Sequence, residues 1–213
     1  MNDKQIKAAL EVFSEKWKPI IIYHLIHDGK KRYSEIQKLV PEINKRMLTL
    51  RLKELEDDKV INRISYPEVP PKVEYEITDY GASLAPVLIL MNEWGKDHAK
   101  GKDIGFAHED NPGNVCFALT TMKTIEGKWK PLIIMHLMKD TLRFNELLDC
   151  ISTTKRTLSI HLKELEEEKL IARNVYNEVP PRVEYSITEY GKTLEPLLER
   201  ISEWGDKHFN HNM

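Results

Sequence analysis

Fourteen residues, EVPPKVEYEITDYG from Glu68 to Gly81, return as EVPPRVEYSITEYG from Glu178 to Gly191 with eleven positions unchanged. Extended outward, the likeness covers almost the whole chain. Lys16-Trp17-Lys18-Pro19 returns as Lys128-Trp129-Lys130-Pro131 at an offset of 112, and from the fourteen-residue stretch onward the offset is 110. Two one-residue deletions in the second copy account for the difference. One turns Asp28-Gly29-Lys30-Lys31-Arg32 into Asp140-Thr141-Leu142-Arg143, and the other turns Val40-Pro41-Glu42-Ile43-Asn44 into Ile151-Ser152-Thr153-Thr154. Both fall in turn-like sequence, where loops tolerate length changes. A period of about 110 residues is too long for a solenoid unit, so the chain is a duplicated domain. The expected division is 1–99 for the first domain, 100–113 for a linker rich in Gly, Pro and charge, and 114–213 for the second domain.

Within the first copy, a short helix closes near Leu10 to Phe13, and Pro19 suits the first turn of a second helix that stops at Gly29. A third begins around Arg32 and ends by Pro41. Asn44 is a good N-cap for a fourth, with Leu48, Leu52 and Leu55 on one face. From Val60 the pattern turns to strand, giving a two-stranded hairpin whose tip, Pro-Glu-Val-Pro-Pro, cannot continue a ladder. Thr78 caps a closing helix in which Pro86 marks a kink or a new first turn. Helices, then a hairpin, then a helix is the order of a winged helix-turn-helix. The fold class expected is mainly α with small β-hairpins (α+β), as two tandem winged helix-turn-helix domains.

Length, at 213 residues, allows two cores of ordinary size, and 41% apolar with 31% charged residues describes a globular chain. No apolar run approaches the roughly 20 residues of a membrane span, and the N-terminus lacks a signal-peptide pattern, so a cytoplasmic protein without a membrane partner is expected. Cys116 and Cys150 do not make a disulfide framework. No phosphate loop, dinucleotide fingerprint, nucleophile elbow or zinc-protease motif occurs, so neither an enzyme nor a cofactor is expected. A net charge of −2 leaves room for local basic stripes.

Lys-Trp-Lys, Arg-Tyr-Ser-Glu-Ile, the helix Lys45-Arg46 to Glu56, Val69-Pro70-Pro71-Lys72-Val73-Glu74-Tyr75, Ile77-Thr78-Asp79-Tyr80-Gly81 and a late Trp-Gly occur together in both copies. This set resembles the HxlR-type winged-helix transcriptional regulators of bacteria and archaea. Members of that family are typically single domains that homodimerise through terminal helices. The resemblance therefore implies that this chain is an intramolecular pseudo-dimer, with further homodimerisation left open. It departs from the family before Lys-Trp, where Gly-Gly is usual and Ser14-Glu15 and Glu126-Gly127 stand here.

The double-stranded DNA partner implied would be met by the fourth helix. With Leu48, Leu52 and Leu55 inward, a 100° wheel turns Arg46, Met47, Leu50 and Lys53 outward and leaves Thr49 and Arg51 on the flanks. The first half of this helix is basic and the second acidic, in both copies, and a recognition helix enters the groove by its N-terminal half. The alternative is a solvated face of i,i+4 pairs. The candidate contacts in the first copy are Lys45, Arg46, Thr49, Leu50, Arg51 and Lys53, and in the second Lys155, Arg156, Ser159, Ile160, His161 and Lys163. Leu50 and Ile160 could meet a thymine methyl or pack on a neighbouring domain. Arg32 and Arg143 start the preceding helix and suit a phosphate. Arg63 with Lys72, and Arg173 with Arg182, bracket the wing tips, where pairing with Glu68, Glu74 or Glu184 is the competing use. Because the two reading faces differ, an imperfect inverted repeat is expected, with half-sites roughly 34 Å apart.

Two further function classes remain open: a thiol-redox-responsive regulator through Cys116, at a position where many family members carry a cysteine, and a winged-helix protein-interaction module. Histidines 24, 136, 98 and 208 recur between copies without ligand spacing, so no metal is expected.

Overall fold

The computed structural model describes residues 3–13, 17–69, 71–100, 117–179 and 181–211. Cys116 and the linker expected at 100–113, apart from Lys100, lie outside them. Two compact units are present: one is residues 11–123, and the other is residues 124–213 together with 1–10.

In the first copy, α1 (Asp3–Phe13) precedes α2 (Lys18–His27), which has Pro19 in its first turn. Ile20, Ile21, Ile22 and Leu25 are all buried, as expected of a helix that is apolar nearly all round. Gly29, at φ +74°, follows the helix in the left-handed region that glycine adopts freely. The chain then makes β1 (Lys31–Arg32), α3 (Tyr33–Leu39) and α4 (Lys45–Asp57). Asn44 caps α4, its side-chain oxygen accepting from the Met47 N–H at 2.9 Å. Leu48, Leu52 and Leu55 are sealed in the core, each worth about 1.5–3 kcal/mol of apolar burial.

Strands β2 (Ile61–Tyr66) and β3 (Lys72–Ile77) form the expected hairpin, but the sheet has three strands in the order β1-β3-β2. Lys31 pairs with Tyr75 and Arg32 with Glu74. A two-residue strand carries no periodicity, which is why the sequence alone indicates only two. The closing helix is likewise two helices, α5 (Asp79–Ala82) and α6 (Ala85–His98). The Thr78 hydroxyl accepts from the Gly81 N–H at 2.8 Å and donates to the Lys59 carbonyl at 2.8 Å. Pro86 thus opens a new first turn.

The second copy repeats the series: α7 (Ala118–Thr124), α8 (Trp129–Lys139), β4 (Leu142–Arg143), α9 (Phe144–Ile151), α10 (Lys155–Glu167), β5 (Ile171–Tyr176), β6 (Arg182–Ile187), α11 (Glu189–Lys192) and α12 (Glu195–His211). Its sheet order is β4-β6-β5. Thr154 caps α10 through the Thr157 N–H at 3.1 Å. Among the described residues no helix is long and apolar enough to cross a membrane.

Each unit takes in a helix from the other repeat. In the unit built on the first copy, the Thr121 hydroxyl of α7 donates to the Met91 carbonyl at 2.5 Å, and the Phe117 N–H donates to Asn92 at 2.7 Å. In the other unit, Asp3 of α1 lies 3.4 Å from His136. Gly95 makes the α6–α7 packing possible, because a Cβ there would overlap the Phe117 carbonyl. Gly95→Ala is therefore expected to cost about 1–3 kcal/mol by overpacking, read as a lowered midpoint in thermal or urea unfolding.

Candidate nucleic-acid interface

The exposed face of α4 is set by its inward leucines. Lys45, Arg46, Thr49, Leu50 and Lys53 are all exposed, as are Lys155, Arg156, Ser159, Ile160 and Lys163 on α10. Leu50 is 44% and Ile160 47% exposed, each a single apolar side chain among exposed polar ones. Lys163 pairs with Glu167 at 3.7 Å, whereas Lys45, Arg46, Lys53, Lys155 and Arg156 take part in no ion pair among the described residues. Cations in the first turn oppose the helix macrodipole, at a cost of roughly 0.3–1 kcal/mol each. The Thr49 hydroxyl donates to the Lys45 carbonyl at 2.9 Å, and the Tyr33 hydroxyl donates to the same carbonyl at 2.8 Å. Tyr33 was not legible as a brace for this helix, and Phe144 takes its place in the second copy.

Arg51 departs from the wheel. Its side chain is only 10% exposed, and its guanidinium donates to both Glu54 oxygens at 2.8 and 2.7 Å. The reason lies beneath it. Lys18 of α2 is 5% exposed, with Nζ 3.0 Å from Glu54 and 3.8 Å from Asp58. Glu54 therefore joins a buried ammonium to the guanidinium, and Arg51 is drawn inward off the exposed face. Its counterpart His161 is half-buried and reaches Glu164 at 3.1 Å, while Lys130 reaches the same carboxylate at 3.1 Å. The signal for this joint was present in the sequence: a lysine before proline at the head of an apolar helix, inside Lys-Trp-Lys.

Of the wing cations, Lys72 and Arg182 are engaged with acids. Lys72 lies 2.8 Å from Glu74 and over the Tyr66 ring, and Arg32 approaches Glu74 at 3.8 Å, so Glu74 draws two of the candidate cations together. In the second copy, Arg182 stacks 4.1 Å from the Tyr176 ring centroid and pairs with Glu178 at 3.4 Å and Glu184 at 3.6 Å; Arg143 reaches Glu184 at 3.6 Å. The Lys72 hydrogen bond holds the Glu74 carboxyl below its ordinary value, against burial. Arg63 and Arg173 are exposed, Arg63 donating to the Ser65 hydroxyl at 3.0 Å, while the residue matching Ser65 beside Arg173 is Val175. At the tips, Val69 and Val179 are fully exposed.

The recurring histidines have structural partners. His24 bonds Asp28 at 2.8 Å, and His98 and His208 stack on Trp94 and Trp204. Among the described residues no three His, Cys, Asp or Glu side chains gather as a metal would require.

Burial pushes the Glu54 carboxyl up, but hydrogen bonds from Arg51 and Lys18 outweigh it and hold the group below its ordinary 4.5. A depressed carboxylate contributes stability above its unfolded value and loses it as pH falls through the folded one. Glu54→Gln should therefore lower the unfolding midpoint at pH 7 by an amount worth about 1–3 kcal/mol, the scale of a buried polar group left without its partner. It should also flatten the loss of stability below pH 4.5, as melts at pH 7 and in the acid range would record.

The sequence pattern of the HxlR-like helix-turn-helix family matches residues 12–103 and again 124–213. An uncharacterized HTH-type transcriptional regulator of Bacillus subtilis, YdeP, is 52% identical over 93 residues, covering 44% of this chain and 72% of YdeP. One from Methanothermobacter thermautotrophicus is 43% identical over 108 residues, covering 51% of this chain and 76% of its own length. Among solved structures, the HTH-type transcriptional regulator ytcD is 53% identical and covers 45% of this chain and 96% of its own, with a TM-score of 0.43. Each relative thus matches about one half of the chain, and the family pattern matches both halves in turn. The chain belongs to the HxlR-like helix-turn-helix family, with the family's unit present twice in one polypeptide.

Proposed function

We propose that the chain is a sequence-specific, double-stranded DNA-binding transcriptional regulator that carries both reading heads of an operator in one polypeptide. The observation that supports this most directly is the set of cations at the starts of α4 and α10. Lys45, Arg46, Lys155 and Arg156 are exposed and in no ion pair among the described residues, at the helix ends where positive charge is least favourable. Such charge is stabilised by a polyanion laid against the helix end, and counterion release from phosphates drives the association. Family membership and the names of the relatives point the same way.

In this reading, α4 and α10 enter major grooves by their basic halves, while the sheets bring Arg63, Lys72, Arg173 and Arg182 to the backbone or minor groove. Leu50 and Ile160 offer apolar contact to thymine methyl groups. Met47 and Leu50 are replaced by Thr157 and Ile160 in the second copy, so the operator is an imperfect inverted repeat with half-sites about one helical turn, roughly 34 Å, apart.

A gel shift on the DNA upstream of the chain's own coding sequence, over a range of salt, tests this. Arg46→Ala with Arg156→Ala is expected to weaken binding tenfold or more and to reduce the salt slope by about 2. Unchanged affinity in the double variant, or footprinting that protects a single half-site per chain, would overturn the assignment.

A further inference from the structure

The starts of α4 and α10 are held by different bonds. Both have a side-chain cap: Asn44 accepts from the Met47 N–H at 2.9 Å, and Thr154 accepts from the Thr157 N–H at 3.1 Å. A cap joins a helix only to its own first turn. In the first unit a further tie crosses to α3. The Tyr33 hydroxyl donates to the Lys45 carbonyl at 2.8 Å, the Thr49 hydroxyl donates to the same carbonyl at 2.9 Å, and the two hydroxyl oxygens are 3.3 Å apart. In the second unit Phe144 stands in the place of Tyr33 and Ser159 in that of Thr49, and among the described residues no hydroxyl meets the Lys155 carbonyl.

The helices that would anchor such a tie begin alike. The Arg32 N–H donates to Glu35 at 2.6 Å, and the Arg143 N–H donates to Glu146 at 2.6 Å. The units therefore differ in the tie and not in its anchor. Nor does the helix itself depend on the tie, since α10 forms without it and both helices are seated by three buried leucines. What the Tyr33 hydroxyl adds is a fixed place for the first turn. Tyr33 follows Arg32, and Lys45 precedes Arg46, so one hydrogen bond links the backbone beside two exposed cations.

We propose that Tyr33 is a positioning residue for the first reading head: its hydroxyl fixes the spacing of Arg32 and Arg46 before DNA arrives, and the matching place in the second head, at Phe144, carries no such tie. This rests on the DNA-reading proposal above. Ordering groups at an interface costs affinity, and groups ordered beforehand avoid that cost. Thr49 belongs to the same device, its hydroxyl hydrogen engaged on the Lys45 carbonyl.

The test uses the full chain, with amide hydrogen exchange in the absence of DNA and hydroxyl-radical footprinting on the duplex upstream of its own coding sequence. Tyr33→Phe removes one oxygen and keeps the ring. It is expected to speed exchange in the first two turns of α4 about three- to tenfold, the scale of one hydrogen bond, and to leave α10 unchanged. On DNA it should weaken one half-site by about the same factor, the half-site that Arg46→Ala also weakens, and leave the other within about twofold. Phe144→Tyr should act in the opposite sense, slowing exchange at the start of α10 and tightening the other half-site about two- to fivefold, a gain that lost packing does not produce. Equal exchange in Tyr33→Phe and the wild type overturns the tie. Weakening by Arg46→Ala with none by Tyr33→Phe overturns the positioning role and leaves DNA reading standing. Wild-type binding by Arg46→Ala with Arg156→Ala overturns the DNA reading and the positioning role with it.

Discussion

A lysine ammonium held inside the first unit governs which face of α4 is left exposed. Lys18, 5% exposed, stands at the head of α2, and an unpartnered cation in such a place would cost several kcal/mol. Glu54 is its nearest partner, so α4 must turn about its axis until Glu54 faces α2. Leu48, Leu52 and Leu55 impose the same rotation from the apolar side. Two independent constraints, one electrostatic and one hydrophobic, thus agree on a single orientation. With both met, Lys45, Arg46, Leu50 and Lys53 are left facing outward. The second copy reaches the same result through Lys130 and Glu164.

Much of this was legible in the sequence because long, strongly periodic elements carry their own signal. The leucine stripe, the Asn44 and Thr154 caps, the hairpin strands and the resemblance in both halves all correspond to what the structure and the family match contain. The features missed are those with too little local sequence to register. β1 is two residues long and exists because Lys31 and Arg32 find partners in β3. The left-handed residues after α4 and α10 are lysines, Lys59 and Lys169, rather than glycines. They are held there because the Val60 and Leu170 N–H groups close onto the Leu55 and Leu165 carbonyls.

Arg51 marks a different limit. A helical wheel resolves angle but not reach, and a guanidinium on a flank goes to whichever carboxylate lies within its length. Its inward turn depended on Lys18 already lying beneath Glu54, a tertiary fact that no wheel contains. The wing cations illustrate the same point. Lys72 and Arg182 stand two residues before Glu74 and Glu184 on the same strand and the same face of the sheet, so pairing with these acids is the use the free chain adopts. An incoming anion would have to draw Lys72 and Arg182 from those acids, whereas Lys45, Arg46, Lys155 and Arg156 in the first turns of α4 and α10 have no acid partner among the described residues to give up.

Duplication in one chain changes what these joints can become. In a symmetric homodimer, any substitution at the reading helix or its seat appears in both heads, so a change that suits one half-site is tested against the other at once. Here each head varies alone. Tyr33 against Phe144, Arg51 against His161 and Ser65 against Val175 all lie at the reading helix, its support or the wing, while Lys18/Lys130, Glu54/Glu164 and the inward leucines are the same in both copies. The shared residues are those that fix the rotation of the helix, and the differing ones adjust how tightly and by what chemistry it is held. The copies also differ at buried positions such as Tyr23 against Met135 and Val60 against Leu170, so the core tolerates exchange between apolar side chains while the ion pair that sets the rotation of the helix is retained in both units.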